Sequence, residues 1–224
     1  MANEKFLHCY KMVWDTEFAP NPHHNVLTLA TCKPRIRKYA EVGDWISGWT
    51  AVKVHDKDHK TLIFPKDNER LIYLALVTEK LSFEKYWNRY DDKKPHRLKN
   101  GIPLPIKEKG SCGAGMNSDN VLYDSGDNIY EPDSKHAGKF IQHPNGGEHG
   151  DKEKERDLSG EYVLICKEFY YFGVHHACEI PFPISFRPIP RWKKVSLDDA
   201  EQFISFIQKN HKSCTITNNE NNTK

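Results

Sequence analysis

The segment Thr31-Cys32-Lys33-Pro34-Arg35-Ile36-Arg37-Lys38 gathers cations around a proline that is able to open a helix. Lys33, Arg35 and Arg37 crowd the start of that helix, where the aligned peptide groups already leave partial positive charge. The arrangement makes sense if an anion rests there, and phosphate is the commonest candidate. The alternative is that the charges are solvated and their stems cover Tyr39 and Trp45. Cys32 beside Lys33 is either a small packed side chain or a thiol of lowered pKa.

A second group lies in the preceding loop. Asp15, Phe18, Asn21 and His24 come at three-residue intervals among Pro20 and Pro22, which limit the loop's freedom. A carboxylate, a ring and a carboxamide held stiffly can read a base edge by hydrogen bonds and stacking. They can equally form a rigid connection whose polar groups are satisfied locally. Asp127-Asn128-Ile129-Tyr130 carries similar equipment, and Tyr171 is a further candidate ring. Asp44 follows Gly43 at a turn and either caps that turn or faces a ligand. Trp45 and Trp49, four apart on an expected strand, share one face, which fills the core or walls a pocket.

Other chemistries find no support in the spacing. There is no Cys-x-x-Cys, no Gly-x-Ser-x-Gly and no His-Glu-x-x-His, and the 12 histidines and 6 cysteines fall at no metal-ligand spacing. Gly110-Ser111-Cys112-Gly113-Ala114-Gly115 lacks the Gly-Lys-Ser/Thr ending of a phosphate-binding loop. Neither metal nor cofactor is expected.

These residues need elements to hold them. Phe6 to Trp14 alternates and opens as a strand, Pro34 starts a short helix stopped by Gly43, and Trp45 to Val54 is a strand. Leu71 to Val77, apolar on both faces, suits a central strand. Ser82 and Ser196 are set to cap helices, the second with a stripe of Leu197, Ala200, Phe203, Ile204 and Ile207. Tyr162 to Phe172 is expected to form a strand pair. Strands outnumber helices with no βαβ repeat, so the expected fold class is α+β. It would be a mostly antiparallel, barrel-like sheet with short flanking helices and a C-terminal helix. A single domain is expected over residues 1–211, with long loops at 88–119 and 131–159 and a polar, frayed tail at 212–224.

The 224 residues are 38% hydrophobic and 29% charged with a net charge of +2, so a folded chain with a modest core is expected. Near-neutral charge leaves anion binding to a local cluster. No apolar run is long enough to span a membrane, and neither an export signal nor a paired-cysteine motif stands out. A cytoplasmic setting with reduced thiols follows as the expectation.

Several blocks together resemble a known family. Asp15-Thr16-x-Phe18-Ala19-Pro20-Asn21-Pro22 is followed by Leu27-Thr28-Leu29-Ala30-x-Cys32-Lys33-Pro34-x-Ile36-Arg37 and by Val42-Gly43-Asp44-Trp45-Ile46-x-Gly48. Ser82-Phe83-x-x-Tyr86-Trp87, Gly126-Asp127-Asn128-Ile129-Tyr130, Asp157-Leu158-Ser159-Gly160 and Phe169-Tyr170-Tyr171-Phe172-Gly173 come later. Over roughly residues 6 to 175 the chain resembles the nucleotide modification associated domain 2 family. The resemblance implies association with modified nucleotides and DNA modification in bacteria and phages. A looser pattern, a basic stretch and then Val-Gly-Asp opening a strand, resembles the PUA-like superfamily of small barrels, several of which hold one modified base in an aromatic pocket.

The leading expectation is therefore a module that binds a nucleotide or nucleic acid carrying a modified base, linked to DNA modification or phage defence. Lys33, Arg35 and Arg37 would hold phosphate. Trp45 with Tyr130 or Tyr171 would stack on the base, and Asp15, Asn21, Asp44, Asp127 or Asn128 would read its edge. Two alternatives stand beside it. One is a transferase or hydrolase using Asp15 and Asp44 as acid and base. The other is a non-catalytic subunit whose long loops meet a protein partner of a modification system.

Overall fold

A computed structural model describes residues 4–95, 105–107, 121–123, 126–143 and 150–214. The elements run β1 (Phe6–Asp15), β2 (Leu27–Leu29), α1 (Pro34–Tyr39), β3 (Trp45–Asp56), β4 (Thr61–Ile63), β5 (Leu71–Leu76), β6 (Glu79–Ser82) and α2 (Phe83–Arg89). They continue β7 (Pro105–Lys107), β8 (Val121–Tyr123), β9 (Tyr130–Pro132), β10 (Phe140–Gln142) and α3 (Asp151–Leu158). The chain closes with β11 (Tyr162–Cys166), β12 (Glu168–Tyr171), β13 (Lys193–Ser196) and α4 (Leu197–Asn210).

Six strands form the main sheet in the order β12-β5-β3-β1-β13, with β4 paired to β3. Only β1 and β3 run parallel in it; β2-β11-β6 is a second, antiparallel sheet, and β9–β10 and β7–β8 are two-stranded ribbons. A parallel pair needs a crossover connection. Here the crossover carries β2 and α1, and so delivers the Cys32–Arg37 stretch alongside β1.

Side-chain alternation assigns the layers. On β1, Leu7 and Cys9 face Trp45, Trp49, Phe203 and Ile207 beneath α4, while Tyr10 and Met12 face Leu27, Leu164 and Phe169 between the two sheets. On β11, Leu164 and Cys166 face that inner core, whereas Val163 and Ile165 meet Phe83, Tyr86 and Tyr130 on the outer side. Ser82 Oγ accepts from Lys85 N and Ser196 Oγ from Asp199 N, so both expected caps start α2 and α4.

One irregularity shapes the surface. Met12 pairs with Thr50 but Trp14 pairs with His55, so the β1–β3 register slips between them. The slip releases Trp14 from the inward alternation of Tyr10 and Met12 and leaves it 46% exposed.

The fold is mixed α+β and dominated by sheet, as expected, but the strands close no barrel among the described residues. Other expectations change in detail. The strands within Tyr162 to Phe172 do not pair with each other, because β11 joins the small sheet and β12 the large one. The stretch 131–159 holds β10 and α3. Ser213 Oγ donates to Phe169 O at 3.3 Å, and Cys214 is buried and disulfide-bonded, against the expectation of six reduced thiols; the rest of the expected polar tail, 215–224, lies outside the described residues. The glycine-rich stretch Gly110–Gly115 lies outside the described residues. No helix among the described residues is long and apolar enough to cross a membrane.

Candidate functional site

A cavity of about 640 Å³ opens between β1, the start of α1 and the segment ahead of β13. Its size is within the usual range for small-molecule sites. Tyr10, Met12 and Trp14 line it from β1, and Cys32, Lys33 and Arg35 from the turn into α1. Lys11 N donates to Ile189 O at 2.9 Å and β13 pairs with β1, which together lay Pro190, Arg191 and Trp192 along the third side. Arg156 of α3 completes the rim.

The electrostatics of this cavity are one-sided. Lys33, Arg35, Arg156 and Arg191 all line it, no carboxylate does, and none of the four makes an ion pair among the described residues. Lys33 Nζ sits 4.2 Å above the Tyr10 ring. Burial pulls the Lys33 pKa down, with Cys32 opposing the shift and the charge of Arg156 adding to it, so an arriving anion would favour the charged amine.

The walls are held by internal polar bonds. Trp192 Nε1 donates to His8 Nδ1 at 2.9 Å, which leaves the proton of His8 on Nε2 to donate to Asp44 at 3.0 Å. Tyr39 stacks on Trp192 at 5.8 Å. The entry to α1 has two successive residues at positive φ, Cys32 at 54° and Lys33 at 39°. Cys32 N donates to Asp157 Oδ1 at 2.7 Å and Cys32 O accepts from Arg37 Nε at 2.8 Å, so both sides of this strained turn are tied down.

A second cavity of about 400 Å³ adjoins the first and shares Trp14, Ala19, Cys32 and Arg156 with it. Thr16, Phe18, His59 and Glu153 belong to this one alone.

The residues singled out in the sequence part company here. Lys33 and Arg35 stand at the first cavity and Phe18 at the second. Arg37 does not join its neighbours at the anion face. It is 0% exposed and donates to the carbonyls of Cys32, Tyr162 and Asp157. Two residues apart on a helix means about 200° of rotation, so Arg35 and Arg37 face opposite ways. Trp45 walls neither of these cavities, since β3 turns that face toward α4: Trp49 is fully buried against Phe203, and Trp45 lines a separate cavity of about 300 Å³ with Leu197, Glu201 and Ile204.

The polar candidates are spent on holding loops together. Asp15 accepts from Tyr171 Oη at 2.5 Å and from Val174 N at 2.7 Å, and burial raises its pKa to about 6. Asp44 accepts from Phe6 N, His8 and Glu41 N. Burial would raise the Asp44 pKa, yet these bonds hold it below the usual carboxylate value. Asn21 Oδ1 takes a 2.7 Å bond from the fully buried Lys93. Asp127 accepts from Thr28 and Tyr86 at 2.6 Å each, and burial lifts its pKa although Lys93 opposes the shift. Asn128 Nδ2 donates to the carbonyls of Tyr86 and Tyr90, and Tyr130 Oη to Asp157. None of these six carboxylates, amides and phenols lines either cavity. The same holds for Tyr171, whose hydroxyl is committed to Asp15.

Sequence reasoning missed Trp14, Arg156, Arg191 and Trp192. A cation beside an indole in Pro190-Arg191-Trp192-Lys193 is a readable signal. Arg156 sits in the mixed charge run Asp151–Asp157 and has none.

No curated protein and no solved structure matches the chain. The family model for nucleotide modification associated domain 2 matches residues 4–103 and 114–222, which takes in both the early cations and the Arg191-Trp192 wall. On that match over nearly its whole length, the chain belongs to the nucleotide modification associated domain 2 family.

Proposed function

We propose that this chain binds a nucleotide, free or within a strand, with its phosphate on Lys33, Arg35, Arg156 and Arg191 and its ring against Trp14 and Trp192. The observation that carries this reading is the set of four cations, with no ion-pair partner among the described residues, around a cavity whose lining has two indoles and no carboxylate. Cations left unpaired beside aromatic surface suit a ligand that is anionic at one end and a flat ring at the other. The family's association with nucleotide modification supports a modified base as the ring, in the service of a cytoplasmic modification or phage-defence system. In the same reading, the two sheets enclosing one core are an open relative of the small PUA-like barrels.

Phosphate contacts set affinity and its salt dependence, whereas ring contacts set identity. Arg35 and Arg191 are both exposed, so replacing them with alanine tests binding without disturbing the core. A titration of nucleotides and short single strands, followed by tryptophan fluorescence, should weaken in Arg35→Ala/Arg191→Ala. The slope of log affinity against log salt should flatten by about 1.4 for a strand, at ~0.7 per lost phosphate contact. Unchanged affinity and slope would remove the cavity from consideration.

A further inference from the structure

The second cavity needs an occupant of its own. Resting on the nucleotide reading above, we propose that the site takes a dinucleotide step of a single strand, one base in each cavity and the linking phosphodiester at Arg156.

Three observations point there. First, each cavity has one accessible aromatic side chain that the other lacks, Trp192 in the larger and His59 in the smaller. One base cannot use both. Second, the charge is divided. The three unshared cations all lie in the larger cavity, while Glu153, the single carboxylate in either lining, lies in the smaller. A phosphate in the smaller cavity would face that carboxylate, whereas an exocyclic amino group of a base could donate to it. The smaller cavity, where Glu153 offsets Arg156, therefore favours an anion less than the larger one does. Third, Arg156 and Trp14 border both cavities. Arg156 is exposed, with Nη2 4.0 Å from Cys32 Sγ, and makes no ion pair among the described residues. A guanidinium at the junction is placed to meet the one charged group that joins two nucleosides.

A nucleoside triphosphate fits this division less well. With its base in the smaller cavity the aromatic wall of the larger is unused, and with its base in the larger the smaller stays empty.

The test is a competition titration with four probes: a nucleoside 5′-monophosphate, a nucleoside 5′-triphosphate, a 5′-phosphorylated dinucleotide, and the same dinucleotide with its second residue abasic. The dinucleotide should bind about tenfold or more tighter than the monophosphate and the abasic probe, in line with one added aromatic stack. His59→Asn keeps a residue that tolerates the positive φ of 59° at that turn, and should remove most of the advantage. Arg156→Ala should weaken the dinucleotide more than the monophosphate. Equal binding of monophosphate and dinucleotide, of dinucleotide and abasic probe, or a triphosphate that outcompetes both, would overturn the two-cavity proposal while leaving nucleotide binding intact. Failure of all four probes to bind would overturn the nucleotide reading itself.

Discussion

Arg35 and Arg37 are separated by one residue and should behave oppositely when mutated. Arg37 is fully buried, with Nε and Nη1 each 2.8 Å from a carbonyl oxygen and Nη2 on a third. Burial pulls its pKa down to about 10, so the guanidinium stays charged at neutral pH. Arg37→Met keeps much of the stem volume and removes every donor. Each bond to a charged group contributes ~1.5–3 kcal/mol, but rehydration of the freed carbonyls recovers part of that. Breaking one side of a buried charged cluster costs ~3–5 kcal/mol, and about 4 kcal/mol is the expectation here. With a urea slope of about 2 kcal/mol per molar, the unfolding midpoint should fall by roughly 2 M. Arg35→Met, on the exposed face, should stay within ~0.5 kcal/mol of the parent while losing nucleotide affinity. Urea unfolding followed by circular dichroism measures the first effect and the fluorescence titration the second. A midpoint for Arg37→Met within about 0.5 M of the parent would refute the assignment of Arg37 to the scaffold.

Two further outcomes follow from the same polar scaffold. Burial holds the Asp15 carboxyl at about 6, so between roughly pH 4 and 6 the folded chain keeps a proton that the unfolded chain has released. Stability should therefore fall by about 3 kcal/mol as pH rises through that window and stay at the lower level above it, a slope that Asp15→Asn lacks. Identical urea midpoint profiles from pH 4 to 7 for the two proteins would contradict this. At Gly160 a Cβ would stand 2.6 Å from Arg37 Cζ, so Gly160→Ala should cost ~1–3 kcal/mol by displacing the guanidinium, and an unchanged thermal midpoint would count against that contact.

The blocks that carried the family resemblance turn out to mark the scaffold as much as the cavities. Asp157 and Gly160 of one block both meet Arg37 of another, and Asp157 also fixes Cys32 N and Tyr130. Asn21, Asp127 and Asn128, drawn from two blocks, tie their loops to each other through Lys93, Thr28 and Tyr86. Residue types suited to reading a base edge are the same types that satisfy buried loop backbone, which is why sequence reasoning left both uses open.

What the chain order alone determined was local: strand alternation in β1, the run of β5 that is apolar on both faces, the serine caps of α2 and α4, a cation cluster at Pro34, and the family. These depend on neighbours within a few residues. Which cation faces solvent and which is buried depended on the contact of α1 with the Asp157–Tyr162 stretch more than a hundred positions away. Which indoles border the cavity depended on a register slip in β1–β3 and on the Ile189–Trp192 segment returning to β1. A helix face or a strand face carries no label for inside or outside until a second element covers it, and that covering is a property of the tertiary structure.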